Sequence, residues 1–405
     1  MSKFFRSFPI RPQTSLPFYC DPVKLFVAIW LVMLASMQFE ISYVSYPHFS
    51  LAVILFLFSF LSFILGHYFV RLICKVNELP QENSRNEINI RKLRLFNFYL
   101  FGSSVILTLY NVMVAGLPPV FAFLGFDTKP YFDYGRLKQV IFPLLMALFV
   151  NSFLESSTIR KLFYSTFAFL AMLSYVARGS MLLMLLQALI VFSIRTSKGK
   201  ARLYLIAGVG LIGAAFLADF IGSNRTGDAI FFAYMQIKTQ YQQWPTIYLW
   251  VISYVSTPLS NLCWLVDLAH FDHVTWSFAY PLLPSFWLPS NPHLEFIENS
   301  KIIDGVHTYL ATYFLDLSYF GIASINCFVG MISGYYSSDR RISRYYLTSS
   351  IFLTCIAFMF FFDFFAYLET VVQFAIQAVA QYYFMKEYRP LATGVTKGLG
   401  IVANS

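Results

Sequence analysis

The chain has 405 residues, 58% of them hydrophobic and 12% charged, with a mean hydropathy of +0.61. Soluble domains run at roughly 45–50% apolar and about 25% charged, so this balance excludes burial inside one soluble core. The net charge of +9 comes without any basic stripe carrying spaced aromatics, which excludes a nucleic-acid surface.

In chain order, "MSKFFRSFPIRPQ" precedes the first apolar run and resembles a signal n-region, yet the run behind it is long and has no small-x-small cleavage site. An uncleaved signal-anchor is expected. Ten apolar runs follow, at about 22–43, 49–70, 95–116, 139–155, 162–177, 179–194, 203–221, 317–336, 346–362 and 365–385. A hydrocarbon slab about 30 Å thick needs about 20 apolar helical residues, so the pattern predicts an all-α polytopic membrane protein of about ten transmembrane helices.

With the N-terminus placed in the cytoplasm, the segments predicted inside hold 22 of the 29 Lys and Arg. That satisfies the positive-inside rule with both termini cytoplasmic. The chain then divides into a seven-span bundle over 1–221, a large extracytoplasmic loop over 222–316, three spans over 317–385 and a cytoplasmic tail over 386–405. Within the loop, Trp244 to Val266 is apolar enough to cross. Crossing would turn "DRRISR" outward, so a pair of re-entrant or interfacial helices is expected there instead. The five cysteines show no short paired spacing and give neither a zinc site nor a disulfide framework.

Candidate chemistry gathers at the outer face. Arg178 sits in the short turn between the fifth and sixth runs, beside Gly179 and Ser180, whose backbone N–H groups open the next helix. A guanidinium at such a turn either snorkels to the headgroups or holds an anion. Arg225, in "SNRTGD", is either a turn residue or a second guanidinium for the same anion. Thr308, Thr312 and Asp316 are four apart and share one face if helical, with His307 beside them. A polar stripe entering a membrane helix must face the bundle or a wet cavity. His307 is a structural hydrogen-bonding group or a general base, with Asp304, Glu295 and Glu298 as competing bases. Glu40, Asp219, Asp363 and Glu369 read as solvated helix caps. Gly330 and Gly334 form a small-xxx-small patch for close helix packing. Asp267, His270 and His273 have metal-like spacing but no fixed helix to hold them, so no metal is expected.

The segment "VHTYLATYFLDLSYFG" resembles the signature of the oligosaccharide repeat unit polymerases, the O-antigen or capsule polymerases of Wzy type. Thr308, the pair Tyr313 and Phe314, Asp316 and Gly321 fall on that signature in register. Gly305 stands where the family often has Asn, and His307 where an aromatic is common. "YVSTPLSNL", beginning at Tyr254, looks like the family's Tyr-x-x-x-Pro-Leu element, and "ARGSMLLMLL" is similar to its Arg-containing turn. The resemblance implies a metal-independent, inverting glycosyltransferase at the outer face of the bacterial inner membrane, with no cofactor and the GT-C-like fold of O-antigen ligases and SEDS polymerases. Its donor and acceptor would be undecaprenyl-diphosphate-linked oligosaccharides, and a flippase and chain-length regulator would be partners. His307, Asp304 and Arg178 are then the expected catalytic set. Arg225, Tyr254, Thr308, Tyr309, Asp316 and Ser180 are the expected substrate-binding set. An O-antigen ligase-type transferase and a non-enzymatic exporter or flippase of the same lipid-linked units are the alternatives.

Overall fold

The computed structural model describes residues 17–73, 88–128, 137–195, 227–269, 275–283, 287, 293, 308–337, 339–361 and 363–384, with scattered helical positions between 204 and 219. The helices are α1 (Pro22–Met37), α2 (Phe49–Ile73), α3 (Ile90–Ala115), α4 (Lys138–Ser152), α5 (Thr158–Ser174) and α6 (Arg178–Arg195). After these come α7 (Asp228–Tyr234), α8 (Thr246–Leu268), α9 (Ala311–Tyr335), α10 (Asp339–Arg344), α11 (Tyr346–Phe358) and α12 (Leu368–Phe384). Each of the ten apolar runs is helical over most of its described positions. Among the described residues there is no strand, and Ser42 and Ile237 form an isolated antiparallel bridge. The described residues form an all-helical architecture compatible with a membrane protein: α2, α3, α8 and α9 are long and apolar enough to cross a bilayer, and α1, α4, α6 and α11 are shorter apolar helices.

Local signals explain several boundaries. Asp21 caps α1 by accepting from Val23 N and Lys24 N, with Pro22 in the first turn where no N–H is needed. Asn89 caps α3 through Lys92 N, and α3 stops at Gly116, whose φ of 93° only glycine adopts freely.

Side-chain pairs fix the relative direction of the helices. Gln187 on α6 pairs with Gln373 on α12, and Phe58 and Phe63 on α2 lie against Tyr319 and Gly330 on α9. These helices begin together at what we term the upper end. At the lower end, Tyr19 bonds Ser193 near the end of α6, and Asn89 N donates to Phe384 O at the end of α12. The α2–α9 interface is the closest. A Cβ on Gly66 would stand 2.0 Å from Cys327 O, and one on Gly330 2.0 Å from Phe63 O. The glycine patch is therefore a contact of two backbones, with His67 Nδ1 and Ser333 Oγ paired at 3.0 Å beside it.

Two elements differ from expectation. Residues 246–268 form one continuous helix, α8, rather than a helix pair, with Pro258 inside it. Both halves of α8 lie along the connector between α1 and α2. Trp250 packs in a cluster with Ile41, Ser260 accepts from Tyr46 N at 2.5 Å, and Trp264 donates to Val44 O at 2.7 Å. Helix α9 begins six residues earlier than the predicted run and is broken at Ser318 (φ 56°, ψ −145°). The break folds Gly321 back so that its Cα faces Tyr313 O, where a Cβ would lie at 2.1 Å.

Candidate functional site

The upper end carries a polar knot centred on Asp316, one turn and a half into α9. Its Oδ1 accepts from Thr275 Oγ1 and from Ser277 Oγ at 3.1 Å. Its Oδ2 accepts from Ser277 Oγ at 3.0 Å and Phe278 N at 2.8 Å. His293 Nε2 lies 3.3 Å from Oδ1 and 3.0 Å from Thr275 Oγ1. The Asp316 side chain has no exposed surface. A membrane helix cannot leave a carboxylate facing lipid, and here the loop supplies every partner. One residue thus ties Thr275, Ser277, Phe278 and His293 to the start of α9. The 3-10 turn Ser277–Leu282 enters through Trp276, a residue with a left-handed backbone (φ 58°) that is 60% exposed. Phe278, the next aromatic, stacks on Tyr313 at 5.1 Å.

Behind Tyr313 lies the connector between α11 and α12. Asp363 is buried, with Oδ1 accepting from Phe365 N at 3.1 Å and Ala366 N at 3.4 Å. Burial pushes its carboxyl up to about 6, opposed by the nearby Tyr313 hydroxyl and those two N–H groups. The Tyr309 hydroxyl donates to Asn326 on α9, and its N–H donates to Met359 O at 3.1 Å. Burial, with the Asp363 charge second, pushes the Tyr309 phenol well above its usual range.

Thr308 and Tyr309, both expected to bind substrate, are each 1% exposed in this structure. Thr308 belongs to the turn before α9, so it does not share a helical face with Asp316; its Oγ1 caps Leu310 N at 3.3 Å. Tyr254 stacks on Trp250 at 5.3 Å and meets Phe361 edge-on at 5.1 Å, so it touches the same α11–α12 connector as Tyr309. Ser180 is half-buried in the first turn of α6. Arg178 begins that helix, nine residues above the Gln187–Gln373 pair and so at the upper end; its side chain lies outside what is described. His307, Asp304 and Arg225 fall outside the described residues, as do Glu295, Glu298, His270 and His273. Asp363 and Glu369 correct the solvated-cap expectation: they are 6% and 8% exposed. A carboxylate at a helix end reads the same in sequence whether it faces water or the bundle. The donors Thr275, Ser277 and His293 lie 23 to 41 residues from Asp316 and carry no periodic signal.

Comparison with protein-family models, with curated proteins and with solved structures gives no match.

Proposed function

We propose that the protein is a polymerase of lipid-diphosphate-linked oligosaccharide repeat units, working at the upper end of the bundle as the extracytoplasmic face of a bacterial inner membrane. The observation that carries this reading is the Asp316 knot: the carboxylate that falls on the polymerase-like signature is the one that fastens the polar loop over the bundle mouth. The charge distribution supports the orientation, because Arg71, Lys92, Arg160, Lys161, Arg195, Arg341 and Arg344 all sit near lower ends of helices.

In this reading Asp316 is a positioning residue. The acceptor hydroxyl oxygen attacks the anomeric carbon of the donor glycan and forms the new glycosidic bond. The anomeric C–O bond to undecaprenyl diphosphate breaks on the opposite face, giving inversion. The diphosphate leaves with the electron pair, and Arg178 and Arg225 neutralise it. His307 or Asp304 takes the acceptor proton. Trp276 is exposed, and its ring offers a flat apolar face on which a sugar ring can lie.

Membranes containing the protein, incubated with purified undecaprenyl-diphosphate-linked repeat units and no nucleotide sugar, are expected to yield lengthened glycan. Absence of lengthening with the correct unit supplied removes the polymerase. Transfer only onto added lipid A-core identifies a ligase instead. The flippase alternative draws on buried polar side chains along α12; it predicts movement of the lipid-linked unit across vesicles with no bond formed.

A further inference from the structure

Helix α12 carries Glu369, Gln373, Gln377 and Gln381 at four-residue spacing, hence on one face, and all four are buried. From Glu369 to Gln381 the row rises twelve residue steps, about 18 Å of helix, most of a hydrocarbon slab. Its upper end is electrostatically linked to Lys138 at the start of α4. One turn below, Gln373 exchanges amide hydrogen bonds with Gln187 on α6, the two at 3.1 and 2.5 Å. At the lower end Gln381 Nε2 donates to Arg344 O at 3.0 Å.

Between these fixed ends, Gln377 is 1% exposed, and neither its Nε2 nor its Oε1 has a hydrogen-bond partner among the described residues. The Oε1 of Gln381 is also unpartnered, as are both amide atoms of the fully buried Asn151. Asn151 is thirteen residues down α4 from Lys138, about 20 Å, and so at the depth of Gln381. A buried amide left without partners costs about 1–3 kcal/mol. Lipid and apolar side chains supply neither donor nor acceptor, and a neutral amide offers two N–H donors and a carbonyl acceptor without net charge, which selects against an ion and for a small neutral hydroxylic partner.

We propose that α4, α6 and α12 enclose a file of bound water running down the membrane from Glu369 past Gln377 to Gln381, a hydrated path from the upper end toward the lower. The inference is independent of the glycan-transfer reading, since it concerns solvent access within the bundle and holds for an enzyme or an exporter alike.

The test is cysteine accessibility in a background with Cys20, Cys74, Cys263, Cys327 and Cys355 replaced by Ala. A small water-soluble methanethiosulfonate added from the upper side is expected to label Gln377→Cys and Gln381→Cys at least tenfold faster than Val379→Cys, which is 60% exposed on the outside of the bundle. Adding Gln377→Leu is expected to slow Gln381→Cys labelling at least tenfold by interrupting the file. Equal rates at 377 and 379, or unchanged labelling of Gln381→Cys when Gln377→Leu is added, overturn the proposal. If the cysteine variants do not fold, radiolysis of the unmodified protein decides. Hydroxyl radicals from bound water are then expected to oxidise Met184, one turn before Gln187 on α6, well above the equally buried Met33 on α1. Equal oxidation overturns it.

Discussion

Two residues at the bundle mouth hold conformations or charges that their surroundings impose. Ser318 adopts φ 56° and ψ −145°, a region that costs a residue with a Cβ on the order of 1 kcal/mol or more and glycine almost nothing. Ser318→Gly is therefore expected to raise the thermal midpoint in detergent and Ser318→Val to lower it; the reverse order contradicts the break. For Asp363 the folded carboxyl titrates at about 6 against an ordinary 3.8. The folded state binds the proton more tightly, so the contribution is most favourable below about pH 4, declines as pH rises toward 6 and is level above that, with a span of about 3 kcal/mol at most. Asp363→Asn cannot ionise. Subtracting its stability-versus-pH curve from that of the unmodified protein is expected to leave a fall between pH 4 and 6; a flat difference contradicts the buried carboxylate.

At the scale of elements, the bundle depends on two backbones touching. A methyl group on Gly330 would stand 2.0 Å from a carbonyl of α2, which no side-chain rotation relieves. Gly330→Ala is expected to cost about 1–3 kcal/mol by forcing α2 and α9 apart. Gly102 on α3 has nothing within 4 Å of its would-be Cβ, so Gly102→Ala is expected to be neutral or stabilising by up to about 1 kcal/mol. Equal midpoints for the two variants contradict the close crossing. Helix α8 makes a different prediction. Its two halves share the short connector 41–46 as a partner, so Tyr248→Cys and Leu268→Cys are expected to react with an impermeant thiol reagent from the same side of the membrane. Labelling from opposite sides shows that α8 crosses.

Over the whole molecule, unbroken apolar length located the apolar helices well because hydrocarbon demands it, and α2 and α6 match their runs closely. The role of Gly330 and Gly334 was legible for the same local reason, a four-residue repeat of small side chains. Burial was not legible. Asp363 and Glu369 sit where water or the bundle could equally receive them, and only tertiary packing decides. Nor could the partners of Asp316 be read, since Thr275, Ser277 and His293 reach it from a loop whose path no local pattern dictates. Charge asymmetry pointed to a pair of helices over Trp244 to Val266, yet 246–268 is one continuous helix with Pro258 inside it, packed on the α1–α2 connector.

In the proposed function, the loop fastened by Asp316 is where glycan chains are lengthened. Elongation of purified lipid-diphosphate-linked repeat units by membranes carrying Asp316→Ala, at matched amounts of monodisperse protein, tests it most directly. We expect at least a hundredfold loss relative to the unmodified protein, whereas elongation at the full rate would place the chemistry elsewhere.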